Sequence, residues 1–304
     1  MSNIEVTRNL WHKLWEKYSA RVSYAKVYQQ MITEAGGVVA NDHIAFRSLG
    51  LNVNGVNLGI PYLERIVESL GYSAAGEYVF ADKHLYARHY RHPEQEEFDL
   101  PKLFISELIV DELPDEISQQ IYQTVSSINS SIYPNLSELE KADVELIVNE
   151  LENVFDRPWQ PPVRSSVEAV NKVTQYGAWV LLHGYAVNHF TGYVNRQNTD
   201  RYPDIETTVR GLSERGVPMK AEIEGTLEIG LRQTATQAVT EMVTVRDDTS
   251  GELISIPWTY AYYEIAERFL VEIGSGQKVL FDAFQGNNAT HLFEMTKLSR
   301  GTRG

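Results

Sequence analysis

The sequence predicts an α+β protein in which two pseudo-symmetric βαβββ modules form a curved sheet around a metal site. Three observations lead there. The order strand, helix, strand, strand, strand is read between residues 38 and 112 and again between 183 and 276. A recurring order of elements marks an internal repeat even where the halves share no identity. Chemistry-bearing side chains fall at matching places in the two sets, His43 and His189 in the first strands and Glu107 and Glu264 in the fourth. Between the sets lies a stretch of helix-forming residues that belongs to neither. The expected division of one compact unit is N-terminal helices over 1–37, a first module over 38–112, a helical insertion over 113–182, a second module over 183–276 and a tail over 277–304.

In the N-terminal stretch, Leu10, Trp11, Leu14, Trp15 and Tyr18 recur at helical spacing, followed by Tyr24, Val27, Tyr28 and Met31. Gly36-Gly37 closes the second helix. This aromatic stripe reads as core, and His12 beside it as a surface residue. Alternation in the strand Asp42–Ser48 puts His43, Ala45 and Arg47 on one face and Ile44 and Phe46 on the other. Ile60–Leu70 reads as a helix with Pro61 in its first turn. Strands are expected near Tyr72–Ala81, His84–His92 and Leu103–Val110. The insertion predicts helices over Asp115–Ser127, Ser137–Val154 and Val167–Gln175, interrupted by Pro134, Pro158, Pro161 and Pro162.

The second module is expected to start with a strand over Ala186–Val194 and a helix over Ile205–Arg215. Three strands follow, near Gly225–Thr236, Glu241–Arg246 and Leu253–Phe269. The tail carries Phe281–Gly286 and a short helix with Phe293 and Leu298, expected to pack over one mouth of the second module.

Cysteine is absent, which removes disulfides and thiolate metal sites and leaves nitrogen and oxygen as the only ligands for a metal. A net charge of −14 and a pI near 5.1 argue against a nucleic-acid or anionic membrane partner. No run reaches the roughly 18 apolar residues of a membrane helix, and the start lacks a basic flank followed by an apolar run. A soluble, cytoplasmic protein is expected. Its oligomeric state is not legible.

Two imidazoles and a carboxylate, His43, His189 and Glu264, suit divalent iron, manganese, nickel or zinc, with positions left for substrate and oxygen. A carboxylate among aromatic residues costs several kcal/mol unless it is paired or binds metal. The competing reading makes each histidine a hydrogen-bonded core residue and pairs Glu264 with Arg268 or Arg232; the matching module positions favour the metal. His183, in Leu181–Gly184, competes with His189. His84, His89 and His92 lie in a strand with Arg88 and Arg91 and read as a solvated face or outer support, and His291 is a weak candidate in the tail. Arg47 has the fork geometry to clamp a carboxylate, or it forms a salt bridge to Asp42 or to another of the many acidic groups. In Leu231–Thr236, Gln233 is placed to orient a substrate carbonyl or carboxylate, or Arg232 does so if the opposite parity faces the cavity.

Asp42–Leu49, Phe104–Leu108, Val187–Thr191 and Leu231–Thr234 together resemble the 2-oxoadipate dioxygenase/decarboxylase family, a branch of the vicinal oxygen chelate superfamily. Tyr263–Arg268 is similar to the last metal-ligand strand of 4-hydroxyphenylpyruvate dioxygenase. The resemblance implies that His43, His189 and Glu264 bind Fe(II), that Arg47 holds the carboxylate of a 2-oxo acid, and that Glu107 is a pseudo-symmetric relic. It also implies conversion of 2-oxoadipate to 2-hydroxyglutarate with O2. The chain looks shorter after Glu264 than the family's characterised bacterial type, which leaves recognition of the distal carboxylate open. The alternatives are a Zn or Ni lyase, isomerase or hydrolase with Glu107 joining the site, and a non-catalytic module that binds a small acid.

Overall fold

Two helices, α1 (Ile4–Arg21) and α2 (Ser23–Glu34), lead into the sheet. The computed structural model describes residues 4–284 apart from Asn129, Glu140 and Ser275. The aromatic stripe of α1 is core, as its spacing requires. Trp15 meets Phe190 edge-on at 5.2 Å and Tyr263 at 5.8 Å, while His12 stays exposed beside Glu16.

The first half continues with β1 (Asn41–Gly50), a small hairpin of β2 (Asn52–Val53) and β3 (Val56–Asn57), α3 (Ile60–Ser69), β4 (Ser73–Phe80), β5 (Leu85–Arg91), α4 (Gln95–Phe98) and β6 (Lys102–Ile109). The insertion holds α5 (Asp115–Val125), α6 (Leu136–Leu139), α7 (Val144–Glu152), α8 (Arg164–Val173) and α9 (Gln175–His183). Helix α9 is absent from the expected elements because Tyr176 through His183 are all buried. A helix wrapped in protein on every side has no polar face, so its sequence carries no 3.6-residue alternation.

The second half comprises β7 (Val187–Tyr193), α10 (Ile205–Glu214), β8 (Glu224–Thr226), β9 (Leu231–Ala235), β10 (Thr240–Arg246), β11 (Leu253–Thr259) and β12 (Glu264–Arg268), followed by β13 (Leu270–Ile273) and β14 (Gln277–Leu280). One eight-stranded sheet runs β4-β5-β6-β1-β7-β12-β9-β8. Antiparallel β1 and β7 form its centre, with β6 parallel to β1 and β12 parallel to β7. From the centre outward each half therefore reads first, fourth, third and second strand. Both central strands are buried nearly end to end, so β1 is covered on two faces and not one.

The strand assignments of the second half differ from expectation. Gly225–Thr236 is not one strand, since the chain turns at Leu227–Gly230, with Gly230 at φ +89°, and separates β8 from β9. Glu241–Arg246 pairs with the start of Leu253–Phe269 as a separate hairpin, β10–β11. The remainder breaks at Tyr260–Tyr263, where side chains take backbone carbonyls that a ladder would use: Trp179 donates to the Tyr260 oxygen at 2.7 Å, and the Tyr18 hydroxyl donates to that of Tyr262.

Pairing registers put His43, Ala45, Arg47, Lys102, Phe104, His89, His189, Thr191, Glu264, Arg268 and Gln233 on one face. The α9 hydroxyl of Tyr176 closes one end of that face at 2.8 Å from Ser106 Oγ. Phe281–Phe284 closes the other. This segment bridges the two halves: Phe281 N donates to Phe269 O at 2.9 Å and Arg268 holds the Phe281 and Ala283 oxygens, while Asp282 reaches Lys102 and Arg91 at 2.7 Å each and the Phe284 ring sits 4.8 Å from His43 and 5.0 Å from Phe104. The cations that draw it there were not visible as a group in the sequence. Phe293, Leu298 and His291 lie outside the described residues. Among the described residues no helix is long and apolar enough to cross a membrane.

Candidate metal centre

The two central strands and β12 bring His43, His189 and Glu264 together, all buried. His43 Nε2 and His189 Nε2 are 3.3 Å apart, His43 Nε2 is 3.5 Å from Glu264 Oε1, and His189 Nε2 is 3.6 Å from Glu264 Oε2. A cation with bonds of about 2.1 Å touches three atoms at such spacing.

The protonation pattern sharpens this. Asp42 Oδ2 lies 2.8 Å from His43 Nδ1, and Asn188 Oδ1 lies 3.0 Å from His189 Nδ1. An acceptor at each Nδ1 requires a proton there, which leaves both Nε2 lone pairs pointing at one another and at the carboxylate. Burial pushes both imidazoles below their usual pKa, that of His189 far below. Burial also pushes the Glu264 carboxyl up to about 8. Neither of its oxygens has a well-formed hydrogen bond, and the nearby Thr191 hydroxyl, which tempers the rise, lies 3.1 Å from His43 Nε2. Two imidazole lone pairs and a carboxyl that burial keeps protonated near neutral pH converge here, and a divalent cation that displaced that proton would be held by all three, so the residues fit a divalent metal.

Support beneath the ligands is charged on one side. Asp42 is fully buried, and Arg268 forks onto it, Nε to Oδ1 at 2.5 Å and Nη2 to Oδ2 at 2.9 Å. Burial alone would raise the Asp42 pKa, but Arg268 and Lys102 hold it well below the usual carboxylate range. His189 has the Tyr262 ring stacked on it at 4.9 Å.

Comparison with known proteins bears on the same residues. The model of the 2-oxoadipate dioxygenase/decarboxylase family matches residues 9–297. The chain belongs to that family. It is 29% identical over 286 residues to the chloroplastic 2-oxoadipate dioxygenase/decarboxylase of Arabidopsis thaliana, covering 86% of this chain and 70% of that protein. Among solved structures, the hydroxyglutarate synthase of Oryza sativa in complex with 2-oxoadipate matches with a TM-score of 0.75 at 25% identity, over 95% of this chain and 91% of that one. A glyoxalase superfamily protein of Ralstonia eutropha JMP134 shares the fold at a TM-score of 0.78 and 22% identity, over 87% of this chain and 83% of the other. The protein is thus an enzyme of the 2-oxoadipate dioxygenase/decarboxylase family on a glyoxalase-like scaffold.

The remaining expected residues of this family member fall in several places. Arg47 is buried on the His43 face, its guanidinium 4.8 Å from the Tyr176 ring and 5.1 Å from that of Trp179. Asp42 is taken by Arg268, so it is not the partner of Arg47. Gln233 pairs with Ala266 and shares the face of Glu264. Arg232 has the opposite parity and bonds Glu206 of α10 at 2.5 Å, which removes it as a group facing the site. Neither arginine proposed to neutralise Glu264 does so. His183 lies at the end of α9, 4.8 Å from Trp179 and 3.6 Å from Glu241, outside the triad.

Glu107 is displaced most clearly. In the first half the residue opposite Ala45, two past His43, is Phe104; in the second half the residue opposite Thr191, two past His189, is Glu264. Phe104 is therefore the counterpart of Glu264. Glu107 lies three residues on and faces the helices, where its Oε2 accepts from Ile60 N at 2.8 Å. Glu267, three residues past Glu264, likewise accepts from Ile205 N at 3.0 Å. Each glutamate caps its own module's helix. At Gly59 a Cβ would stand 2.1 Å from Glu107 Oε2, so glycine makes room for this cap.

Sequence reasoning missed Asp42 and Asn188 as orienting groups, and Arg268 as the charged support of Asp42. The available signal was a polar residue directly before each histidine, Asp42-His43 and Asn188-His189. The three histidines expected in one strand also separate: His84, before β5, pairs with Glu112 in solvent, His92, after it, packs on Tyr72, and only His89 within β5 lies on the site face, bonded to Tyr78.

Proposed function

We propose that this protein is a non-heme Fe(II) dioxygenase that takes a 2-oxo acid of the 2-oxoadipate type and O2 to CO2 and the 2-hydroxy acid one carbon shorter. The observation that carries this reading is the convergence of two neutral imidazoles and one buried carboxyl, their ligand atoms 3.3–3.6 Å apart, on the strand face that also bears Arg47. Atoms balance for the six-carbon acid: carbon 1 leaves as CO2, one oxygen of O2 enters the new carboxylate and the other becomes the α-hydroxyl.

His43, His189 and Glu264 would hold the iron. Bound there, Fe(II) supplies open positions and the redox chemistry needed to activate O2. Arg47 binds a substrate carboxylate, its guanidinium desolvated against Tyr176 and Trp179 so that pairing is strong. Gln233 orients a second substrate oxygen from the β9 side. Tyr262, stacked on His189, and Phe284, edge-on to His43, keep water from the ligands. A hydrolase or isomerase that recruits Glu107 has no support here, because that carboxylate caps α3.

The test is anaerobic reconstitution with Fe(II), then oxygen-electrode measurement with 2-oxo acids of four to seven carbons. Uptake of one O2 per CO2 released, with a 2-hydroxy acid product, is expected. Turnover with Zn(II) in the absence of O2, or no uptake with any acid, would sink the proposal.

A further inference from the structure

Arg268 is a buried cation with every nitrogen committed. Nε and Nη2 fork onto Asp42, while Nη1 donates to the backbone oxygens of Phe281 at 3.1 Å and Ala283 at 2.9 Å. Asp42 in turn accepts from His43 Nδ1 at 2.8 Å. A single guanidinium thus joins a metal-ligand support to the segment that closes the first half of the site.

That segment is tied down elsewhere by groups that also belong to the site face. Asp282 bridges Lys102 and Arg91, Phe284 N donates to Tyr78 Oη at 3.0 Å, and the Phe284 ring stands edge-on to His43, at 4.8 Å and 87°. The same ring lies 5.3 Å from the Arg268 guanidinium. Docking the segment therefore fixes both Arg268 and the His43 ring.

We propose that Arg268 is a positioning residue that couples docking of Phe281–Phe284 to metal binding at His43. The proposal rests on the metal centre described above and adds a link between that centre and a segment without a ligand atom. Three consequences make it testable. When the segment is docked, Arg268 is fixed, Asp42 is held, and the His43 Nε2 lone pair is aimed at Glu264 and His189. When it is released, two acceptors of Arg268 are lost and the His43 ring loses a packing wall. Thermodynamic reciprocity then requires metal to strengthen docking by the same factor by which docking strengthens metal binding.

The experiment uses the full chain and Co(II) as the probe. Co(II) affinity is measured by its visible absorption, and hydrogen exchange is followed at the amides of Phe281 and Phe284, which donate to Phe269 O and Tyr78 Oη. In the wild type, Co(II) should slow exchange at both amides by at least about tenfold. Arg268→Met should weaken Co(II) binding by about 10–100-fold, the range found when an outer partner of a metal ligand is removed. Because that variant leaves Asp42 buried and unpaired, the double variant Asp42→Asn/Arg268→Met is the second arm. It removes both charges and keeps an oxygen for the His43 Nδ1 proton, as Asn188 does for His189. It should fold, bind Co(II) and no longer transmit binding to Phe281 and Phe284. Wild-type exchange that ignores bound Co(II), or a double variant that still responds, overturns the proposal while leaving the metal centre standing. Failure of the wild type to bind Co(II) overturns both.

Discussion

The two halves of the sheet use one plan with different chemistry at corresponding places. His43 and His189 occupy the same position in their strands, each oriented through Nδ1 by the residue before it. That residue is an ionised aspartate in the first half and a neutral amide in the second. Where the second half supplies Glu264, the first has Phe104. The helix-capping glutamates three residues further on, Glu107 and Glu267, are the features that stayed alike. Parts that hold the fold are shared between the halves, and parts that form the candidate metal site have diverged. A buried anion in the first half needed a buried cation, and Arg268 crosses from the second half to provide it.

This difference can be broken at several points. Glu264→Gln should abolish turnover and weaken metal binding by more than about 100-fold, beyond the loss of an outer partner. Phe104→Leu at the counterpart position should keep wild-type metal affinity; chelator competition on both variants decides. Asp42→Asn alone strands the Arg268 charge and should destabilise the metal-free protein by about 3–5 kcal/mol in urea denaturation. Asn188→Ala, which orphans only an Nδ1–H, should cost about 1–3 kcal/mol. Equal losses would show that the charge asymmetry has no energetic content. Arg47→Lys should raise KM for the 2-oxo acid at least about tenfold with metal affinity unchanged, since a lysine has no fork for a carboxylate. The smallest effect is expected at the shared feature. Glu107→Gln and Glu267→Gln should each cost about 1 kcal/mol through a weakened cap and leave metal affinity alone. A drop in affinity for Glu107→Gln would restore it to the site.

The sequence made the repeat and the triad legible because both are written in local pattern. His43 and Arg47 share parity along one strand, and Glu264 shares parity with Arg268 along another. The register between strands was not legible. Equating Glu107 with Glu264 needed only that both lie in a fourth strand, whereas a shift of three residues reverses the face and turns a ligand position into a cap. Long-range partners were equally hidden: Arg268 finds Asp42 across 226 residues, and nothing near either residue names the other. Helix α9 was invisible for the opposite reason, being apolar on every side. The choice between Gln233 and Arg232 waited on the pairing of β9 with β12, since both parities were chemically plausible.

The central antiparallel pairing of β1 with β7 also sets an order of events during synthesis. His43 and His189 are 146 residues apart, and the third ligand comes from β12, whose neighbours β7 and β9 are both needed to place it. At about 5–20 residues per second, Glu264 leaves the ribosome's catalytic centre roughly 11–44 s after His43. Until then the nascent chain lacks the third group of the triad. A metal held by the proposed triad would therefore be loaded late, reporting a finished sheet and taking no part in starting it.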